Sequence, residues 1–180
     1  MDVDAAQRDL AAAHAGGAPG VFVSGVAWST AGLVGVWYGP QAAFAVLFVG
    51  GMLIVPGSLL IERVLFNAGR PASGNPLERL GLESTAVLFA GILIAFALLR
   101  TATDLAFPAL AVAVGARYFA FRTIYGDVTY WVLGVALVMV GMLPLLHLAP
   151  LPVTPVLIVG IVESAFSPVL LLRWKRRGRT

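Results

Sequence analysis

The 180-residue chain contains no cysteine, which excludes disulfides, thiolate metal sites and thiol catalysis. It is also poor in charge: Asp, Glu, Lys and Arg make up 12% of it, about half of the roughly 25% usual in soluble domains. Lysine occurs once, and the only histidines, His14 and His147, are far apart in the sequence. There is no G-x-S-x-G elbow, no H-E-x-x-H helix and no Walker loop. With no catalytic motif, the chain reads as a non-enzyme that needs no metal or cofactor. The net charge of +3 comes from the C-terminal tail, so nucleic acid is not an expected partner. Nor does the N-terminus read as a secretory signal, because Asp2, Asp4 and Asp9 stand where a signal carries base.

What the chain has instead is apolar surface. Hydrophobic residues make up 59% of it and the mean hydropathy is +0.92. A soluble fold of this size cannot hide that much, whereas lipid accepts it. A membrane span takes about 20 mainly apolar residues. The sequence predicts an all-α, polytopic membrane protein, a bundle of six transmembrane helices at about 20–38, 41–61, 82–99, 105–122, 128–149 and 152–172. Residues 1–18 form a polar segment in which Val3, Ala6, Leu10 and Ala13 share one helical face, the pattern of a short amphipathic helix. Residues 19–173 are the membrane domain and 174–180 a basic tail. Gly39 and Pro40 make the first turn, and Pro150, Pro152 and Pro155 break the chain before the last span.

Placing the N-terminus inside puts ten basic residues on inner segments, Arg70 and Arg179 among them, and only Arg100 on an outer turn. By the positive-inside rule both termini are then cytoplasmic. The basic tail is suited to anionic lipid at that face. Arginine outnumbers lysine eleven to one and alanine is abundant, a composition that points to a GC-rich bacterial genome and a bacterial plasma membrane.

The halves echo each other. Tyr38-Gly39, Gly51-Met52-Leu53 and Glu83-Ser84 correspond to Tyr125-Gly126, Gly141-Met142-Leu143 and Glu163-Ser164. Three spans per half would make two inverted three-helix repeats, an arrangement common in secondary transporters. The depths of the two glutamates do not match, which weakens the correspondence.

Ionisable groups within spans are costly and usually face protein or water. The candidates are Arg117, Glu163, Glu83 and Arg122. Arg117 lies roughly 7 Å deeper than Arg122 and Glu163 roughly 13 Å deep, at 1.5 Å per residue. Arg117 is expected to be held by a carboxylate, that of Glu163 or alternatively Glu83. Tyr118, Arg122 and Tyr125 share a face at i, i+4 and i+7, where they suit an anion or headgroup phosphate. A structural role, as a buried lock or a snorkelling arginine, competes with each of these readings. Glu62, Arg63, Glu78 and Arg79 read as solvated loop charges. Gly25, Ser29, Gly32 and Gly35 form a small-residue stripe that lets another helix approach closely, within the chain or between copies in an oligomer.

The segments QRDLAAA at 7–13, GGMLIVPGSLLIERV at 50–64, NPLERLG at 75–81 and GARYFAFRTIYGDVTYWVLG at 115–134 resemble a family of small bacterial multi-pass membrane proteins of unknown function. The resemblance implies a compact helical membrane domain and carries no activity. Arg117, Tyr118, Tyr125 and Tyr130 fall within the resembling segments, and Glu163 does not. Two functions fit these features: a small transporter with a polar pocket open toward the cytoplasm, or a non-catalytic component that binds a partner or lipid. The choice turns on whether Arg117 and Glu163 line a wet cavity or a dry helix contact.

Overall fold

A computed structural model describes residues 2–67, 69, 71–148, 151 and 154–178. Every regular element among them is helical. Helix α1 (Val3–Ala13) leads through a 3-10 turn (Ala15–Gly17) into α2 (Ala18–Phe66). There follow α3 (Leu77–Thr101), α4 (Thr103–Tyr125), α5 (Thr129–Leu145) and α6 (Pro155–Arg177). The ends of these helices suit their charges. Acids stand in the first turn of α3 and α4 (Glu78, Asp104), and bases stand in the last turn (Arg100, Arg122), where they oppose the helix dipole. Helix α6 opens on Pro155 and closes on Lys175, Arg176 and Arg177.

Six transmembrane helices are not what forms. Four helical stretches are long and apolar enough to cross a membrane: residues 15–66, Leu77–Thr101, Thr103–Tyr125 and Pro155–Arg177. The first two expected spans belong to one stretch, because the helix continues on both sides of Gly39 with no intervening loop. Only Gly39, at φ 83° and ψ 176°, leaves helical geometry, a conformation that glycine tolerates and other residues resist. There the chain folds back, so that Gly35 faces Ala43, Gly50 faces Ala27 and Gly57 faces Val23. The fifth expected span stops at Leu145 after 17 residues. That is about 26 Å of helix, short of a hydrocarbon core of roughly 30 Å. The two inverted three-helix repeats fall with the count. The first half holds α2, bent back on itself at Gly39, and α3, and the second holds three separate helices. The proline break at Pro150 and Pro152 and the charges of Arg70 and Arg179 lie outside the described residues.

The packing is that of an integral membrane protein. The buried core is rich in small residues, among them Ala15, Ala18, Ala31, Ala43, Ala95, Ala106 and Ala111. Large apolar side chains face outward: Trp37 is 81% exposed and Leu82 75%. In water such a surface would be an association site. Against lipid it is at home, and the small residues let the helix backbones meet. Helix α4 lies between α3 and α5, α2 packs along α6, and α6 also meets α4 and α5.

One end of the bundle collects both terminal segments. Gln7 Nε2 donates to Thr123 O near the end of α4 (2.7 Å), and Asn75 Nδ2 donates to Ala6 O (3.0 Å) and Asp9 Oδ2 (2.8 Å). Ala6, Leu10 and Ala13 are buried against the bundle, while Val3 is exposed. Helices α2, α4 and α6 finish at this end, so Arg63, Arg122, Arg173, Lys175, Arg176 and Arg177 gather there. Arg100 closes α3 at the opposite end.

Candidate functional site

Glu163, in the middle of α6, is fully buried. The Tyr118 hydroxyl on α4 donates to its Oε1 at 2.7 Å. Ser24 on α2 neighbours the carboxyl, but Oε2 has no hydrogen-bond partner among the described residues. Three helices therefore close around one carboxyl, leaving it no accessible surface. Close approach at this level depends on glycine. A methyl group on Gly25 would sit 2.6 Å from Ser164 Oγ and 2.8 Å from its backbone nitrogen.

Among the described residues no carboxylate pairs with Arg117. Its Nε donates to Ser84 Oγ (3.3 Å) and its Nη2 to Thr85 Oγ1 (3.4 Å), both on α3. Its guanidinium lies 5.0 Å from the centre of the Phe121 ring. Arg173 and Arg177 instead pair with Asp127, and the His14 ring lies against Glu62. Glu83 is exposed, and Glu163 acts on Arg117 only through space. The expected meeting of two charges within the spans is not the contact that forms. Tyr118 reaches Glu163 first, and hydroxyls one helix away reach Arg117.

The face shared by Tyr118, Arg122 and Tyr125 divides between interior and surface. Tyr118 turns inward to Glu163, while Arg122 is exposed, 5.5 Å from the centre of the Trp131 ring. Tyr118 and Tyr125 instead stack on Tyr130, at 6.0 and 5.5 Å between ring centres, with Phe121 edge-on to all three. Tyr130 is fully buried, and its hydroxyl donates to Gly16 O at 2.6 Å. Gly17, at φ 77°, lies under the Tyr125 and Tyr130 rings, where no side chain fits. The turn after α1 is thereby fastened to the aromatic cluster.

The small-residue stripe lies along α6 for three of its four members. Ser29 meets Gly160, Gly25 meets Gly160 and Ser164, and Gly32 meets Leu157. Gly35 faces Ala43 of the same helix instead.

Several polar residues escaped the sequence reading. Asp127, in the turn between α4 and α5, accepts from the Thr129 backbone N–H at 2.8 Å and from Arg173 Nε at 3.0 and 3.1 Å. Arg177 Nη2 lies 3.3 Å from its Oδ2. Burial pushes this carboxyl up, but the bonds to Thr129 and Arg173 and the charge of Arg177 outweigh it and hold the group below the ordinary carboxylate value. An Asp two residues ahead of Thr at a helix start was the available signal. Glu62, expected in a loop, is instead buried on α2, with its Oε2 3.1 Å from His14 Nδ1. An open groove beside this network is lined by Gln7, Arg8, Gly16, Asp127, Trp174 and Arg177, among others. No group of acidic or histidine side chains that could hold a metal occurs among the described residues.

The model of a family of unknown function, DUF7010, matches residues 3–173, so the chain belongs to that family. No curated protein and no solved structure matches it.

Proposed function

We propose, for this member of a family of unknown function, a non-catalytic membrane component that acts by binding lipid or a protein partner. The carrying observation is the complete burial of Glu163 among Tyr118 and the neighbouring helices. A solute path through the middle of the bundle needs a wet polar site at that depth, and the groove lined by Arg8 and Arg177 lies at one end instead.

The basic end faces the cytoplasm of a bacterial cell in this reading. Support comes from the gathering of arginines at the ends of α2, α4 and α6, and from the Arg- and Ala-rich composition. Lys175 and Arg176 are exposed there and suited to anionic headgroups. The small-residue contact between α2 and α6 is spent within one chain, so self-association would use the outer apolar faces.

A second reading, a proton-coupled transporter, is favoured by the partnerless Oε2 of Glu163. Vesicles holding the purified protein and a trapped pH-sensitive dye separate the two. The binding role predicts equal proton leak for wild type and Glu163→Gln. A flux present only with Glu163 would overturn it.

A further inference from the structure

Arg117 has a position but no counter-charge. A guanidinium carries five N–H donors, and two of them reach Ser84 Oγ and Thr85 Oγ1. Those hydroxyls in turn donate to Gly81 O, at 2.7 and 3.1 Å. They therefore offer Arg117 lone pairs, which orient the guanidinium without neutralising it. Phe121 covers one face of the group by cation–π attraction and likewise brings no charge. No carboxylate lies within ion-pairing distance of Arg117 among the described residues. A cation left unpaired in a membrane span is costly, and an anion or water relieves that cost.

The anion has a way in. Arg117 is half-buried, so part of it remains accessible. Helices α2 and α3 touch little, and the ring contact between them, Phe44 on Phe96, lies toward the opposite end of the bundle. Around the hydroxyls of α3, Leu82, Ala86 and Val87 are exposed. Arg117 sits roughly 7 Å deeper than Arg122, within an extended arginine's reach of the interfacial phosphates. Glu83 is the one acid beside Ser84 in sequence; it is exposed and adjoins the approach rather than the guanidinium.

We infer that Arg117, oriented by Ser84 and Thr85, binds a phosphate anion, supplied in the membrane by a phospholipid headgroup that enters along α3. Planar guanidinium and tetrahedral phosphate match in a two-point, charge-assisted bond. This inference rests on the binding role proposed above and names its ligand class. It also moves anion recognition from the exposed Arg122 to the half-buried Arg117.

The test uses the full-length protein, purified in non-ionic detergent and stripped of lipid. Phosphatidylglycerol, phosphatidylcholine or inorganic phosphate is then added, with retained lipid read by native mass spectrometry and unfolding read by heating. Wild type should retain one phosphatidylglycerol through mild activation and unfold at a higher temperature with it. Arg117→Gln should weaken that retention at least roughly tenfold, the equivalent of a charge-assisted hydrogen bond, and Arg100→Gln at the other end should not. If Arg117→Gln does not fold, Ser84→Ala with Thr85→Ala keeps the charge and removes the orienting oxygens, and should still weaken retention. Undiminished retention in the variant that folds overturns the inference. Protection by inorganic phosphate alone overturns the lipid assignment. A Glu163-dependent proton flux alongside Arg117-dependent lipid retention would overturn the binding role and leave the phosphate site standing.

Discussion

The Tyr118 hydroxyl donates a 2.7 Å hydrogen bond to Glu163 Oε1 and so ties α4 to α6 inside the bundle. Ser24 is the other polar neighbour of that carboxyl, and its second oxygen has no hydrogen-bond partner among the described residues. The pair is a lock whose value lies in what its loss would leave behind. A buried polar group stripped of its partner costs more than the bond itself contributed.

Tyr118→Phe should therefore destabilise the protein by about 1–3 kcal/mol. Adding Glu163→Leu should recover part of that loss, because the orphaned carboxyl is then gone. Unfolding midpoints in detergent for the two single variants and the double variant complete the cycle. Strict additivity of the two changes would show that the bond carries no weight.

The contact between α2 and α6 should fail at Gly32. A methyl group there would already stand 2.6 Å from Leu157 Cδ2 and 3.0 Å from its backbone nitrogen. Gly32→Leu has no room and must push the helices apart, so loss of the monodisperse folded species on size exclusion is expected. Leu33, 58% exposed, faces outward, and Leu33→Ile should leave the elution unchanged. Equal behaviour of the two variants would mean that this face is not packed.

Asp127 should make the basic end acid-sensitive. Its folded-state pKa is lowered, the net result of bonds from Thr129 and Arg173 and the charge of Arg177 prevailing over burial. A lowered carboxyl pKa contributes stability that is fully present above the unfolded value, about 3.9. That contribution is lost as pH falls from there through the folded value. Wild type should thus exceed Asp127→Asn in unfolding midpoint by a constant margin at pH 5 and above. The margin should shrink below pH 4. A margin that does not change down to pH 3 would rule out this linkage.

Much of the polar chemistry was hidden from the sequence for one reason: it joins residues distant in the chain. Asp127 and Arg173 meet across 46 positions, Asn75 and Asp9 across 66, and Tyr130 and Gly16 across 114. No local spacing announces such pairs. Glu62 looked like a loop charge because it follows an apolar run, yet α2 carries it into contact with His14. Nothing local in the sequence marks Ser84 and Thr85 as partners of Arg117, to which α3 and α4 bring them. The stripe in the first apolar stretch was legible because packing small residues is a local property of a helix face, although which neighbour each residue meets was not.

The sequence by itself determined that this is an all-α integral membrane protein, because composition alone decides whether apolar surface can be buried in a fold this small or must face lipid. Backbone geometry at Gly39 and the stop at Leu145 decided how the apolar runs divide into helices, since a hydropathy window measures length and not continuity. Tertiary structure also decided the partners of the buried charges. In a low-dielectric interior each group takes the first adequate donor or acceptor that packing brings within reach. For Glu163 that was a tyrosine, and for Arg117 a pair of hydroxyls.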